Sequence, residues 1–124
     1  MVTARLLVVL LSLGIPVGPG RAPVLQFDRE VRDVGRIPHG KPVSARFRFS
    51  NGGGSPLIIQ AVEPSCGCTI SSFPREPVLA GKFGEIVLTY DAATVGRFEK
   101  QAVVYSNAVT AVRVLYIRGD VTGK

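Results

Sequence analysis

Along residues 43–50 the side chains alternate. Val43, Ala45, Phe47 and Phe49 fall on one parity and Ser44, Arg46, Arg48 and Ser50 on the other. Successive residues of an extended strand point to opposite faces, so this stretch predicts a half-buried antiparallel strand with both phenylalanines inside. Weaker alternation marks residues 24–28 as a short first strand, and residues 31–37, interrupted by Gly35, as a second. Residues 85–91 resume the period with Ile86, Leu88 and Tyr90, and residues 97–106 carry Phe98, Ala102 and Val104 on one side with Lys100 as the exception. Residues 111–121 close the chain as a last strand. Residues 57–62 are apolar on both parities, which suits a central strand or one at a sheet junction.

Turn formers divide these runs. Pro38, Gly40 and Pro42 bracket one reversal, and Asn51 through Pro56, with three consecutive glycines, another. There the glycines are expected to supply positive φ angles. Residues 73–84 hold Pro74, Pro77, Gly81 and Gly84, too many breakers for a long element, and Asn107 opens a further turn. About seven short runs at this spacing, none with helical period, predict an all-β, immunoglobulin-like antiparallel β-sandwich. The antibody variety is excluded. It needs cysteines on two distant strands around a core tryptophan, whereas this chain has no Trp and its two cysteines are one residue apart. The candidate edges for adding a partner's strand are residues 24–28 and 111–121.

Before the strands, residues 1–22 read as a signal peptide: Arg5, then the aliphatic run from Leu6 to Leu13, then a Gly- and Pro-rich exit ending in small residues. The apolar run is short for a bilayer span. Removal after Ala22 leaves residues 23–124 as a single domain, large enough to bury a core. The expected location is the periplasm or the exterior. The net charge of +6 comes from basic residues scattered along the chain, which describes a solvated surface and not a nucleic-acid stripe.

The candidate chemistry sits at Cys66 and Cys68. Residues two apart in a strand share a face, so both sulfurs can be presented together, and a bond between them requires the chain to contract at Gly67. The ring would be tiny; the chain-entropy relation gives about 1.6 kcal/mol for it. That makes a poor staple, and small strained rings are the more oxidising ones. Three readings stay open: a structural turn whose sulfurs are oxidised or half-buried, a thiol-disulfide pair, and a Cu(I) site of two thiolates. Neither a thioredoxin-like strand-helix pattern nor a helix N-terminus is available to lower a thiol pKa. His39 reads as an exposed turn histidine. Arg118-Gly119-Asp120 reads as part of a strand and not an adhesion motif, and the glycine run lacks the Lys-Ser/Thr ending of a phosphate loop.

Asp33-x-Gly35, Phe47-x-Phe49-x-Asn51-x-Gly53, Pro56-Leu57-x-Ile59, Ser65-Cys66-Gly67-Cys68-Thr69, Ala80-Gly81-x-x-Gly84-x-Ile86, Tyr90-Asp91, Gly96, Ser106-Asn107 and Ile117-x-Gly119-x-Val121 form a recognisable set. Together they resemble the bacterial family called domain of unknown function 1573, itself similar to Hydin-like and major-sperm-protein-like immunoglobulin folds. Ala80 departs from the family's usual proline. The resemblance implies the fold and export, gives Asn51, Gly67, Thr69, Gly81 and Asn107 structural roles, and carries over no catalytic residue. The expectation is an exported, non-enzymatic interaction or scaffold module of the cell envelope that binds another envelope or extracellular protein. It is expected to need no cofactor, meet no nucleic acid and insert no part of the mature domain into a membrane. The alternative is an envelope thiol-disulfide or Cu(I)-handling protein using Cys66 and Cys68.

Overall fold

The computed structural model describes residues 21–123, so all but the last two residues of the expected signal peptide lie outside the described residues. Eight strands form: β1 (Leu25–Phe27), β2 (Val31–Pro38), β3 (Val43–Asn51), β4 (Ile59–Pro64), β5 (Thr69–Ser72), β6 (Phe83–Tyr90), β7 (Gly96–Ser106) and β8 (Val112–Thr122). They make two four-stranded sheets with orders β1-β3-β6-β5 and β2-β8-β7-β4. The fold is an immunoglobulin-like β-sandwich. No helix among the described residues is long and apolar enough to cross a membrane.

The alternation read in β3 sets the register of the first sheet. Ala45 lies opposite Leu88 and Phe47 opposite Ile86, so the oily parities of β3 and β6 coincide on one face. That face packs on Val104, Leu115, Ile117 and Val121 of the second sheet, all fully buried. Lys100, the exception in β7, keeps its core-facing parity near the end of the sandwich. Its ammonium lies 5.9 Å from the centre of the Tyr90 ring, which stacks on Phe98 at 4.2 Å.

Three expectations change. The eighth strand is β5, whose inward positions are Thr69 and Ser71 while Ile70 points out. Its polarity is inverted, so hydrophobic alternation misses it. The last strand, β8, is not an edge. It is hydrogen-bonded to β7 on one side and to β2 on the other, and the β2 pairing is parallel, so the sandwich is not purely antiparallel. The chain crosses from one sheet to the other between β1 and β2, which brings β2 alongside β8 in the same direction. The break at Gly35 is a bulge in that pairing, where Gly35 has a φ of 74° and donates its N–H to Asp33 Oδ1 at 2.9 Å. Third, β4 is an edge strand and not a central one. It is nonetheless at a sheet junction, since the chain leaves it for the other sheet within five residues.

Phe47 and Phe49 are both 0% exposed. Truncating either to alanine is expected to cost about 3–5 kcal/mol in urea unfolding, the usual penalty for emptying a buried aromatic site. Ser44→Ala on the outward parity is expected to change stability by less than about 0.5 kcal/mol.

Candidate functional site

The Cys-Gly-Cys segment is the corner through which the chain passes from β4, at the edge of one sheet, to β5, at the edge of the other. Cys66 and Cys68 are joined by a disulfide with Cα atoms 5.3 Å apart, so the sulfurs share one side of the backbone as their spacing predicts. Hydrogen bonds pin the corner to both sheets. Ser65 donates its N–H to the Gln101 carbonyl at 2.8 Å, and Asp91 N–H donates to the Cys68 carbonyl at 3.0 Å. Within the turn, Thr69 N–H donates to the Cys66 carbonyl at 3.3 Å. Thr69 itself is buried, with its hydroxyl 3.9 Å from Cys68 Sγ. Ser71 Oγ then donates to the Val62 carbonyl at 3.0 Å and ties the two edges together.

Gly67 does not perform the expected contraction by special backbone geometry. Its φ lies outside the left-handed region and a Cβ there would meet open space. Both cysteines are half-buried, and Cys68 packs against the core. Beside it opens a cavity of about 450 Å³ bordered by Tyr90, Asp91, Arg97, Phe98 and Lys100. Burial first, and the adjacent Asp91 carboxylate second, push the Tyr90 hydroxyl above its ordinary pKa.

Bonded sulfurs neither attack nor ligate: the bond can accept attack by an external thiolate, whereas Cu(I) binding requires that two electrons first reduce it to two thiolates. The donor set is then two thiolates. No group of three or more His, Cys, Asp or Glu side chains is placed to hold a metal among the described residues. His39 is exposed in the neighbouring loop with Nε2 3.1 Å from the Ala93 carbonyl oxygen.

The other motif residues assemble at the opposite pole, around Asn51. Asn51 is 0% exposed. Its Oδ1 accepts from Val24 N–H at 3.2 Å and Gly53 N–H at 2.9 Å. Its Nδ2 donates to the carbonyls of Ser55 at 2.8 Å and Val78 at 2.9 Å. One amide thus joins the chain entry, the β3–β4 loop and the β5–β6 connection. Gly81, at a φ of 78°, donates its N–H to the Asn51 carbonyl at 2.9 Å. The glycines after Asn51 have no positive φ, contrary to expectation. Gly53 is required because a Cβ would overlap the Ala22 carbonyl. Asn107, exposed, clamps the next loop by accepting from Ile58 N–H at 2.8 Å and donating to the Pro56 carbonyl at 3.2 Å.

Two surface features escaped the motif reading. The outer face of the β2-β8-β7-β4 sheet is apolar over half its length. Val31 lies beside Tyr116, Val114 opposite Val103, and Val112 opposite Tyr105, which itself lies opposite Ala61. Apolar residues on both parities of β7 and β8 were the available signal. The other half carries two rows of alternating charge, Asp33-Arg118-Glu99 and Arg36-Asp120-Arg97, around an open cavity of about 750 Å³. Arg118 and Asp120 are therefore paired strand residues, as expected of that triplet.

Residues 25–121 match the family described as "Protein of unknown function (DUF1573)", and the chain belongs to it. Among solved structures, a protein of unknown function from Porphyromonas gingivalis W83 superposes with a TM-score of 0.73 at 14% identity, over 85% of this chain and 50% of that one. This chain therefore spans half the length of that protein. The ASH/PapD-like domain 7 of human CEP192 is similar over 90% of this chain and 95% of that one, with a TM-score of 0.66 at 9% identity. SSP-19 of Caenorhabditis elegans, an MSP-domain protein like family member, gives 0.55 at 16% identity, over 79% of this chain and 99% of that one. At these identities the likeness is one of fold. No curated protein matches the sequence.

Asn51→Ala is expected to cost about 3–5 kcal/mol in chemical unfolding, because it leaves several buried backbone groups without partners. Gly81→Ala is expected to destabilise by at least about 1 kcal/mol through its positive φ. By the same measurement, Gly67→Ala is expected to be neutral or to stabilise by about 0.4–1 kcal/mol.

Proposed function

We propose that this member of the family is an exported, non-enzymatic module of the bacterial envelope that binds another envelope protein through the outer face of the β2-β8-β7-β4 sheet. The observation that supports it is the contrast between the two outer faces. On the first sheet the outward positions of β3 are Ser44, Arg46, Arg48 and Ser50, with Arg46 bonded to Glu85 at 3.0 Å. The outward apolar residues of this sheet, Ile70 on β5 and Phe83 and Val87 on β6, each sit beside a polar neighbour. Ile70 lies opposite Thr89, Val87 between Arg46 and Ser72, and Phe83 beneath Arg48, which makes this the more solvated of the two faces. On the second sheet Val31, Tyr105 and Val112 are exposed beside half-buried Val103, Val114 and Tyr116. A partly apolar patch with tyrosines at its centre and alternating charges along its border has the composition of a protein-binding surface.

Strand addition, the other route sandwiches use, meets a side-chain cap on β1 and on β4, two of the four edge strands. The Leu25 carbonyl, left free by the β1–β3 pairing, accepts from Arg113 Nη1 at 2.7 Å, and Arg113 is held in turn by Glu30. Val62 of β4 is capped by Ser71. Of the two candidate edges in the sequence, β8 is interior and β1 is blocked, so the face carries the proposal.

A photo-crosslinking residue at Val114, with the full chain exported in cells, is expected to give a defined adduct that the same residue at Ser44 does not. Adding Tyr105→Asp is expected to weaken binding to that partner at least about tenfold, a loss near 1.4 kcal/mol. Equal adducts from both faces, or an adduct with a second copy of the chain alone, overturn the reading.

The second reading uses the disulfide. It is supported by the position of Cys66 and Cys68 at a half-exposed corner beside a cavity. Mass spectrometry with and without mild reductant, followed by Cu(I) titration, separates the two. A readily reduced pair, or one Cu(I) held per chain, favours a redox or copper role. Sulfurs that stay oxidised and take up no copper remove it.

A further inference from the structure

The pole organised by Asn51 has a surface unlike the opposite one. Its loops are residues 21–24, 51–58, 79–83 and 106–112, and hydrogen bonds lace them together. Gly54 N–H donates to the Arg21 carbonyl at 3.2 Å, Val109 N–H to the Pro23 carbonyl at 3.1 Å, and Asn51 N–H to the Lys82 carbonyl at 3.0 Å. From this rigid platform Ile58, Leu79, Phe83 and Val109 project into solvent, at 41%, 56%, 59% and 65% exposure. Such side chains do not support the loops; the hydrogen-bond lacing does.

Charge is equally one-sided. These four segments contain no Asp or Glu, and their charged residues are Arg21 and Lys82. Arg48 adds its guanidinium 4.4 Å above the exposed Phe83 ring. At the opposite pole, the loops at residues 38–42, 65–68 and 91–95 expose Val95 as their one large apolar side chain among the described residues and include Asp91.

We infer that this pole is a docking surface for an anionic lipid bilayer. Apolar tips on separate loops that carry Lys82 and no carboxylate, with the Arg48–Glu85 pair of strands β3 and β6 at their margin, match the chemistry of a headgroup layer over acyl chains. The tips reach the acyl boundary, while Lys82 and Arg48 meet lipid phosphates. Phe83 beneath Arg48 is an aromatic-cation pair suited to that boundary. Docking by this pole holds the strands upright on the membrane and leaves the outer face of the β2-β8-β7-β4 sheet free at the side. It does not depend on the identity of a protein partner or on the thiol state.

The chain has no tryptophan, so one introduced residue reports its own surroundings. Val109→Trp and Leu79→Trp in the full chain, mixed with vesicles of phosphatidylglycerol and phosphatidylcholine in equal parts, are expected to shift emission to shorter wavelength and resist acrylamide quenching. Val95→Trp at the far pole is expected to remain water-exposed. Lys82→Gln is expected to weaken the binding about fivefold, the scale of one basic residue near an anionic surface. Binding driven by residues 6–13 alone would leave all three tryptophans quenchable, and that result, or no binding at all, overturns the inference. A tryptophan at position 109 that is shielded in solution by a second copy, without vesicles, overturns it as well. Because no protein partner is present in this experiment, its failure leaves the face-docking proposal standing.

Discussion

One buried amide governs how this sandwich closes. A β-sandwich must satisfy the backbone groups of the loops that cap its core, because an unpaired buried group costs more than a made hydrogen bond returns. Asn51 does this for three separate segments at once, using both lone pairs of its oxygen and both protons of its nitrogen. The last residue of β3 thereby fixes where the chain enters, how the following loop turns, and where the long connection before β6 returns. Aspartate or leucine, similar in size, could not serve: one lacks the two donors and the other all four groups.

The opposite pole is closed by different means. At the Cys-Gly-Cys corner the chain leaves one sheet and joins the other, and backbone hydrogen bonds to Gln101 and Asp91 hold it on both sides. The disulfide adds a small ring to a corner already pinned, so its contribution to folding is slight and its chemistry is free to matter.

Edges are the liability of open sheets, and the two nearest the sheet crossings are covered by side chains: Arg113 on β1 and Ser71 on β4. Beside the other two edges, β2 and β5, the surfaces open to recognition are faces and poles. One face is mostly polar with Ile70 exposed on it, one is half apolar, and the loops of the Asn51 pole bear apolar tips and no acidic residue. Rigid loops make such tips useful, because little conformational freedom is lost when they bind.

Strand type was legible wherever one parity was oily and the other polar. β3, β6 and most of β7 therefore appear in the sequence at their observed positions, and with them the two-sheet architecture. Local spacing also placed both sulfurs on one side of the backbone. Pattern failed where pairing, not periodicity, decides the outcome. β5 carries hydroxyls inward and isoleucine outward, β8 gained a parallel neighbour from a strand 84 to 85 residues earlier in register, and β4 proved to be an edge. The motif positions named Asn51, Gly81 and Asn107 without their partners, which lie as far as 51 residues away. The amino-acid order by itself determined which segments are extended and which face of most of them is buried, since both follow from a period of two and from turn chemistry. Tertiary structure alone decided strand neighbours, which carbonyls each amide meets and which apolar residues stay in water, because those depend on contacts between residues remote in the chain.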